Sequence, residues 1–323
     1  MIISHAVLKL KYIRYDRGVI IVTSISPRTR ALQPTAYTLA GQTVVFDQAV
    51  TALSEYASPA YVPKQSEYPA LQPELAATVD EVYRGPAPID GRLREVTVWQ
   101  TAVGVQIDVD AQPVCQLDID QAAIHLLCSD GLGSRVNLEV ITGPALILLL
   151  QRRSIYCLHA GAVHSRAGVI AMVAESGAGK STLSAHDAED WRQVSDDLLP
   201  VRLSGDGDSS EVSLLPDYPQ LKLPNARVAW LPSQAFALDY LVRINPQPAE
   251  VFECRRLPLQ SAMLQLIRHT VAAKLFDASS LAAHAEFAKR FCQCVPAFEI
   301  AYPRALDQLP DLRQQLVDAL LTT

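Results

Sequence analysis

The sequence predicts an α/β fold, and three stretches carry that prediction. Gly168-Val-Ile-Ala-Met-Val-Ala174 is an unbroken apolar run, the texture of a strand buried on both faces. Glu175-Ser-Gly-Ala-Gly-Lys-Ser181 follows at once as a glycine-rich turn, and the residues after it are read as a helix to about Asp190. Before all of this, residues 1–130 are rich in short β-like runs, so a mainly β domain precedes an α/β domain spanning 131–323.

Within the first domain, Val19–Thr23, Arg94–Trp99 and Val103–Val109 carry the β-branched residues that suit a pleated, half-buried surface. Between them, the proline- and tyrosine-containing stretch from Ser54 to Asp90 has little periodicity. It reads as long loops with one short helix around Pro73–Tyr83. No repeat and no catalytic motif appears in this domain. It is expected to serve acceptor binding or assembly.

The texture changes near Val136. Pro144 sits where a helix would begin, and Ala145-Leu-Ile-Leu-Leu-Leu150 continues with good helix formers. Ile155–Ala160 reads as a strand, and Val194-Ser-Asp-Asp197 as the end of another. Asp206–Ser210 is a polar turn between two further strands. Helices are expected over Gln260–Phe276, whose apolar residues form a helical stripe, over Ser279–Cys292, and over Leu306–Leu321, the last disturbed by Pro310.

Composition excludes several functions. A net charge of −6 with dispersed Lys and Arg argues against a nucleic-acid surface. The longest strongly apolar run, Ala145–Leu150, is far short of the roughly 20 residues that span a bilayer. The six cysteines include no C-x-x-C pair, and Cys292-x-Cys294 lacks a second cluster to complete a zinc site. Reduced thiols and the lack of a leader pattern lead to the expectation of a soluble, cytoplasmic protein.

The glycine-rich turn fits the phosphate-binding pattern G-x-x-x-x-G-K-[ST], with Ala174 in place of the first glycine. Gly177 and Gly179 permit the positive φ that turns successive N–H groups toward phosphate oxygens, and the helix start adds its dipole. The expected contacts to ATP come from Ser176, Gly177, Ala178, Gly179, Lys180, Ser181 and Thr182. Lys180 would reach the β- and γ-phosphates, and the Ser181 hydroxyl would ligate Mg²⁺. Two further features flank the turn. Asp196-Asp197 ends the next strand, where a carboxylate faces the phosphates. His159 lies on the strand before, and that position is what singles it out, because a histidine on an apolar strand is ordinarily a buried hydrogen-bonding group.

Taken together, Leu158-His-Ala-Gly-Ala-Val163, Ala174–Leu183 and Ser195-Asp-Asp-Leu198 resemble the C-terminal catalytic domain of HPr kinase/phosphorylase. The closer likeness is to HPr-kinase-like proteins of bacterial peptide-modification clusters, including lasso-peptide tailoring kinases. The resemblance covers residues 140–220. It implies a kinase core with Asp197 as general base, His159 positioning or polarising it, Lys180 on phosphate, and Ser181 on Mg²⁺. Asp196 is the alternative base or a metal-side ligand. It further implies transfer of the γ-phosphate of ATP to a serine hydroxyl of a peptide or protein, such as the C-terminal Ser of a lasso precursor, in a chain that can form homo-oligomers. The Arg-Gly signature and acidic metal ligand of true HPr kinases are missing from Leu214–Pro224, where Asp217 is the one acidic residue. Lys222 and Arg268 are candidate cations for the transferred phosphate. Two other functions remain open: a nucleotide-gated binding module or NTPase, and a small-metabolite kinase.

Overall fold

The computed structural model describes residues 19–24, 34–58, 77–128, 130–184, 190–205, 210–215, 218, 235–304 and 308–322. Its first half is a sheet of eight strands: β1 (Ile20–Ser24), β2 (Thr35–Leu39), β3 (Gln42–Phe46), β4 (Thr78–Ile89), β5 (Arg92–Thr101), β6 (Gly104–Val109), β7 (Gln112–Asp118) and β8 (Ala123–Leu126). Their spatial order is β2-β3-β1-β8-β7-β6-β5-β4. β1 lies parallel to both β3 and β8, and the other pairings are antiparallel.

The expected helix around Pro73–Tyr83 is corrected here. From Thr78 the chain is strand β4, and residues 59–76 lie outside the described residues. β4 is an edge strand, where prolines such as Pro86 and Pro88 are readily tolerated, because an edge needs no outward N–H. Asp90 and Gly91, with φ of 52° and 67°, make the tight turn into β5.

Helical structure starts earlier than Pro144 suggested. α1 (Arg135–Val140) is capped by Ser134, whose side chain accepts from the Asn137 N–H. A π-type turn over Ile141–Ala145 absorbs Pro144, and α2 (Leu146–Arg152) follows. Leu146 to Gln151 are all buried, so α2 is a core helix, and its leucines join the packing of the first sheet to that of the second.

The second sheet holds β9 (Ile155–Ser165), β10 (Gly168–Val173), then after the short helix α3 (Lys180–Ser184), β11 (Trp191–Ser195), β12 (Leu198–Ser204), β13 (Glu211–Leu214), β14 (Phe236–Ala237), β15 (Tyr240–Ile244) and β16 (Glu253–Arg256). α4 (Leu259–Arg268) and α5 (Ala278–Cys294) lead to β17 (Ala297–Ala301) and α6 (Leu309–Leu321). The order is β14-β13-β12-β9-β10-β15-β17-β16, with β11 also on β9. One face of β10, β15 and β17 packs against α3 and α6 through Met172, Val242, Ile300 and Leu316. The opposite face, through Val173, Leu241 and Ala297, joins the larger core with Leu266 of α4 and Phe291 of α5.

The helix expected over Gln260–Phe276 stops at Arg268. The backbone after it bonds to the sheet instead: His159 N–H donates to His269 O at 2.7 Å, and Val271 N–H to Cys157 O at 2.8 Å. Pro310 falls in the first turn of α6, where its missing N–H costs no hydrogen bond, and it does not disturb the helix. Of the helix expected over Ser181–Asp190, Lys180–Ser184 is described and 185–189 are not.

Candidate active site

Strand β9 organises the candidate site because both of its neighbours change at the same level. On one side β10 pairs with it as far as Val173↔Ala160, and beyond that point the His269–Val271 segment takes the place of β10. On the other side β11 pairs up to Ser195↔Ala162, and β12 begins at Leu198↔His159. Asp196 and Asp197 fill the break between those two strands, with Ala160 N–H donating to Asp197 O at 3.2 Å. Polar groups that a continuous ladder would have occupied are thereby concentrated beside His159–Gly161.

The glycine-rich loop leaves β10 at this same break. Ala174 is buried in the apolar cluster against α6, so a methyl group at that position is core packing. Gly177 and Gly179 hold φ of 78° and 94°, a region L side chains rarely adopt. A Cβ on Gly179 would stand 2.9 Å from the Tyr302 hydroxyl, and Arg304 donates to Gly177 O at 3.0 Å and to Pro246 O at 2.6 Å. The segment after β17 therefore braces the loop from outside. Helix α3 is fixed at its far end: Trp191 Nε1 donates to Leu183 O at 3.0 Å, and the Arg313 guanidinium lies over the Trp191 ring. Gly161 makes room for α3, because a Cβ there would stand 2.9 Å from Ser184 Oγ and 3.5 Å from Lys180 Cγ.

Around the break the expected side chains converge. Lys180 Nζ lies 3.9 Å from Asp197 Oδ1, and His159 Nε2 lies 3.5 Å from the same oxygen. Lys180 is buried and Asp197 mostly so, while the His159 side chain is 46% exposed. A buried ammonium needs a counter-charge, and Asp197 supplies it; the exposed imidazole leaves the carboxylate open to an incoming group. Asp196 is partly buried, and its Oδ1 has no hydrogen-bond partner among the described residues. Ser176, Gly177, Ser181 and Thr182 are exposed on the rim, and Ala178 is buried beneath it. Asp217 and Lys222 lie outside the described residues.

Arg268, at the end of α4, pairs with Glu175 of the loop at 3.0 Å. Its neighbour His269 was not singled out by the sequence. That imidazole is 9% exposed, and burial lowers its pKa to about 4, helped by His159, Arg268, Lys180 and Arg243 nearby. It is thus neutral at pH 7. Tyr302, Arg304 and Gly161 were also missed as supports of the site. The one sequence signal for Gly161 is its place two residues after His159. His284, by contrast, is buried against Tyr156 and bonded to Thr270 Oγ1 at 2.9 Å, a structural histidine.

No family model and no curated protein matches the chain. Among solved structures, it is similar to the HPr(Ser) kinase/phosphatase from Coxiella burnetii, at 13% identity over 50% of this chain and 94% of that one, with a TM-score of 0.24. So loose a superposition has no bearing on the chemistry, which rests on the residues themselves. No helix among the described residues is long and apolar enough to cross a membrane, and no group of three or more metal-ligating side chains is found among them.

Proposed function

We propose that the chain is an ATP-dependent phosphotransferase of HPr-kinase-like type that phosphorylates a hydroxyl, most specifically a serine of a peptide or protein. The observation that carries this reading is one carboxylate oxygen, Asp197 Oδ1, shared between Lys180 and His159 beside the glycine-rich loop. Here Asp197 takes the proton from the acceptor hydroxyl as its oxygen bonds to the γ-phosphorus. The bond from that phosphorus to the bridging oxygen breaks, and ADP leaves with the electron pair. Lys180 balances charge on the phosphates, and His159 holds the carboxylate in line with the acceptor. Because Lys180 is buried at 8% exposure and already ordered against Asp197, little reorganisation is needed when phosphate arrives.

Mg²⁺ would be held by Ser181 and Asp196, whose buried, unpartnered Oδ1 suits a cation; when bound, the metal neutralises phosphate charge. Within this reading the acceptor is a partner peptide or protein, with the C-terminal Ser of a lasso precursor as the narrowest candidate. The first sheet, which carries no phosphate-binding signature, serves acceptor binding or assembly into homo-oligomers. Six free cysteines accord with a cytoplasmic setting.

A second reading is a nucleotide-gated NTPase. It is favoured by the exposure of His159, which admits water to Asp197 as readily as an alcohol. The test is Asp197→Asn, assayed by mass spectrometry for phosphoserine peptides beside ADP release without acceptor. The phosphotransferase reading expects phosphopeptide from the wild type and a loss of about 10²–10⁴-fold in the variant. Steady ADP release with no phosphopeptide from any serine peptide would favour the NTPase. Transfer at the wild-type rate in Asp197→Asn would remove Asp197 as the base.

A further inference from the structure

The glycine-rich loop has two flanks, and only one of them takes part in that mechanism. Lys180, Asp197 and His159 meet on the β9 side. On the other side lie β15 and then β17, both running parallel to β10. Val173 is level with Arg243 and Ile244 with Ile300, so the three strands end at nearly the same height. The segments that leave them are the loop itself, residues 245–249 and residues 302–304. The carboxyl ends of parallel strands are where an open α/β sheet receives its ligands, in the crevice left as the chain turns away.

These segments are tied to one another. Asn245 N–H donates to Ile300 O at 2.8 Å, and Ala249 N–H to Tyr302 O at 3.3 Å. Pro246 and Pro303 each fix φ, which stiffens both turns. Tyr302 is partly buried against the cluster beneath α3 and α6, and its hydroxyl lies 2.9 Å from where a Cβ of Gly179 would stand. Arg304 then reaches across. One terminal nitrogen donates to Gly177 O at 3.0 Å, and the other to Pro246 O at 2.6 Å.

Arg304 is exposed, and both of these partners are neutral carbonyls, so no carboxylate among the described residues cancels its charge. With both terminal nitrogens held, the guanidinium plane is fixed in orientation beside the loop. Bracing alone does not call for arginine, since a lysine ammonium also donates to two carbonyls. What arginine adds is a flat, delocalised cation whose face can lie on a π-system.

We propose that Arg304, held by Gly177 O and Pro246 O, is the stacking platform for the base of the bound nucleotide and selects purine over pyrimidine. With the γ-phosphate facing Asp197, the rest of the nucleotide runs from the β9 flank toward the flank of β15 and β17. Its base lies there over the guanidinium. The larger π-face of a purine covers more of that plane than a pyrimidine does. This inference rests on the phosphotransferase reading, because it needs a nucleotide on the loop with its γ-phosphate at Asp197.

The test is calorimetric titration, with Mg²⁺ present, of the β,γ-methylene analogues of ATP and CTP and of inorganic tripolyphosphate. Wild-type protein should bind the ATP analogue about fivefold more tightly than the CTP analogue, a part of the worth of one stacked base. Tripolyphosphate has no base and reports on the loop alone. Arg304→Lys keeps the charge and donors for the carbonyls but has no plane. In that variant the purine preference should fall to near unity while tripolyphosphate affinity is kept. Arg304→Ala removes the brace as well, so all three ligands should weaken and the preference should again be lost. Circular dichroism on each variant confirms the fold. Equal or inverted binding of the two analogues by the wild type, or a preference that survives in Arg304→Lys, overturns the platform and leaves the phosphotransferase reading standing. A loss in Arg304→Lys that is the same for all three ligands reduces Arg304 to a brace and overturns it too. Wild-type protein that binds neither analogue removes the reading and the inference together.

Discussion

The two sheets differ in the ion pairs nearest their strands. In the first, ion pairs stand in water: Arg84 bridges Glu81 and Glu95, and Arg94 meets Asp110, with side chains between 23% and 55% exposed. Its ladders shift register within β4–β5 and β6–β7, yet each strand keeps the same neighbours along its length, so most backbone groups are spent on the ladder. In the second, Lys180, Asp197 and His269 are drawn inward, and they gather where both neighbours of β9 break. Charge that is taken out of water has to be held by specific partners, and it is there that chemistry becomes possible. The difference teaches where to look for the proposed activity: at the break in the second sheet.

The sharpest way to break that contrast is through the glycines. Gly179→Ala would force a Cβ into a left-handed backbone position 2.9 Å from the Tyr302 hydroxyl. Strain of about 1–3 kcal/mol in the loop should weaken ATP binding by roughly 5- to 150-fold in a fluorescent-nucleotide titration. Gly161→Ala would press on Ser184 Oγ at 2.9 Å and should cost about 1–3 kcal/mol in urea unfolding, with α3 displaced. Gly91→Ala, in the β4–β5 turn, meets nothing within 4 Å, so only its φ of 67° opposes it. It should cost about 1 kcal/mol and leave nucleotide affinity alone.

Acid sharpens the comparison further. His269 has its folded pKa lowered to about 4, against an ordinary 6.5. The unfolded chain therefore binds the extra proton between those values, and stability contributed by the neutral imidazole is present at pH 7 and lost as pH falls from 6.5 toward 4. At pH 5 the loss from this residue is about 2 kcal/mol. His269→Asn should remove that part of the drop in urea midpoint between pH 7 and pH 5. His125 and His284, also lowered by burial, keep their share of the acid sensitivity. Smallest of all is Arg84→Ala. Its pairs lie in solvent, and the urea midpoint should stay where it is.

Much of the second sheet was legible in the sequence because its signals are local. The run Gly168–Ala174, the glycines at 177 and 179 and the carboxylates at 196 and 197 lie within one short stretch, and the structure brings Lys180, Asp197 and His159 to a common point. What escaped depends on distant pairing. Nothing local marks His269 as the residue that replaces β10 beside His159, since that role exists only once α4 ends against β9. Tyr302 and Arg304 reach the loop from more than 120 positions away. Strand β4 was hidden by its prolines, which obscure periodicity in a strand whose edge position makes them harmless.

The most direct test of the central claim is titration of a fluorescent ATP analogue, with Mg²⁺ present, into the wild-type protein and into Lys180→Ala. Lys180 is the one cation buried inside the turn, so its removal takes away charge-assisted hydrogen bonds to the phosphates and leaves Asp197 without its ammonium partner. The account predicts saturable binding by the wild type and a loss of about a hundredfold in the variant, with the fold retained by circular dichroism. Wild-type protein that binds no nucleotide, or a Lys180→Ala variant that binds it equally well, would contradict the account.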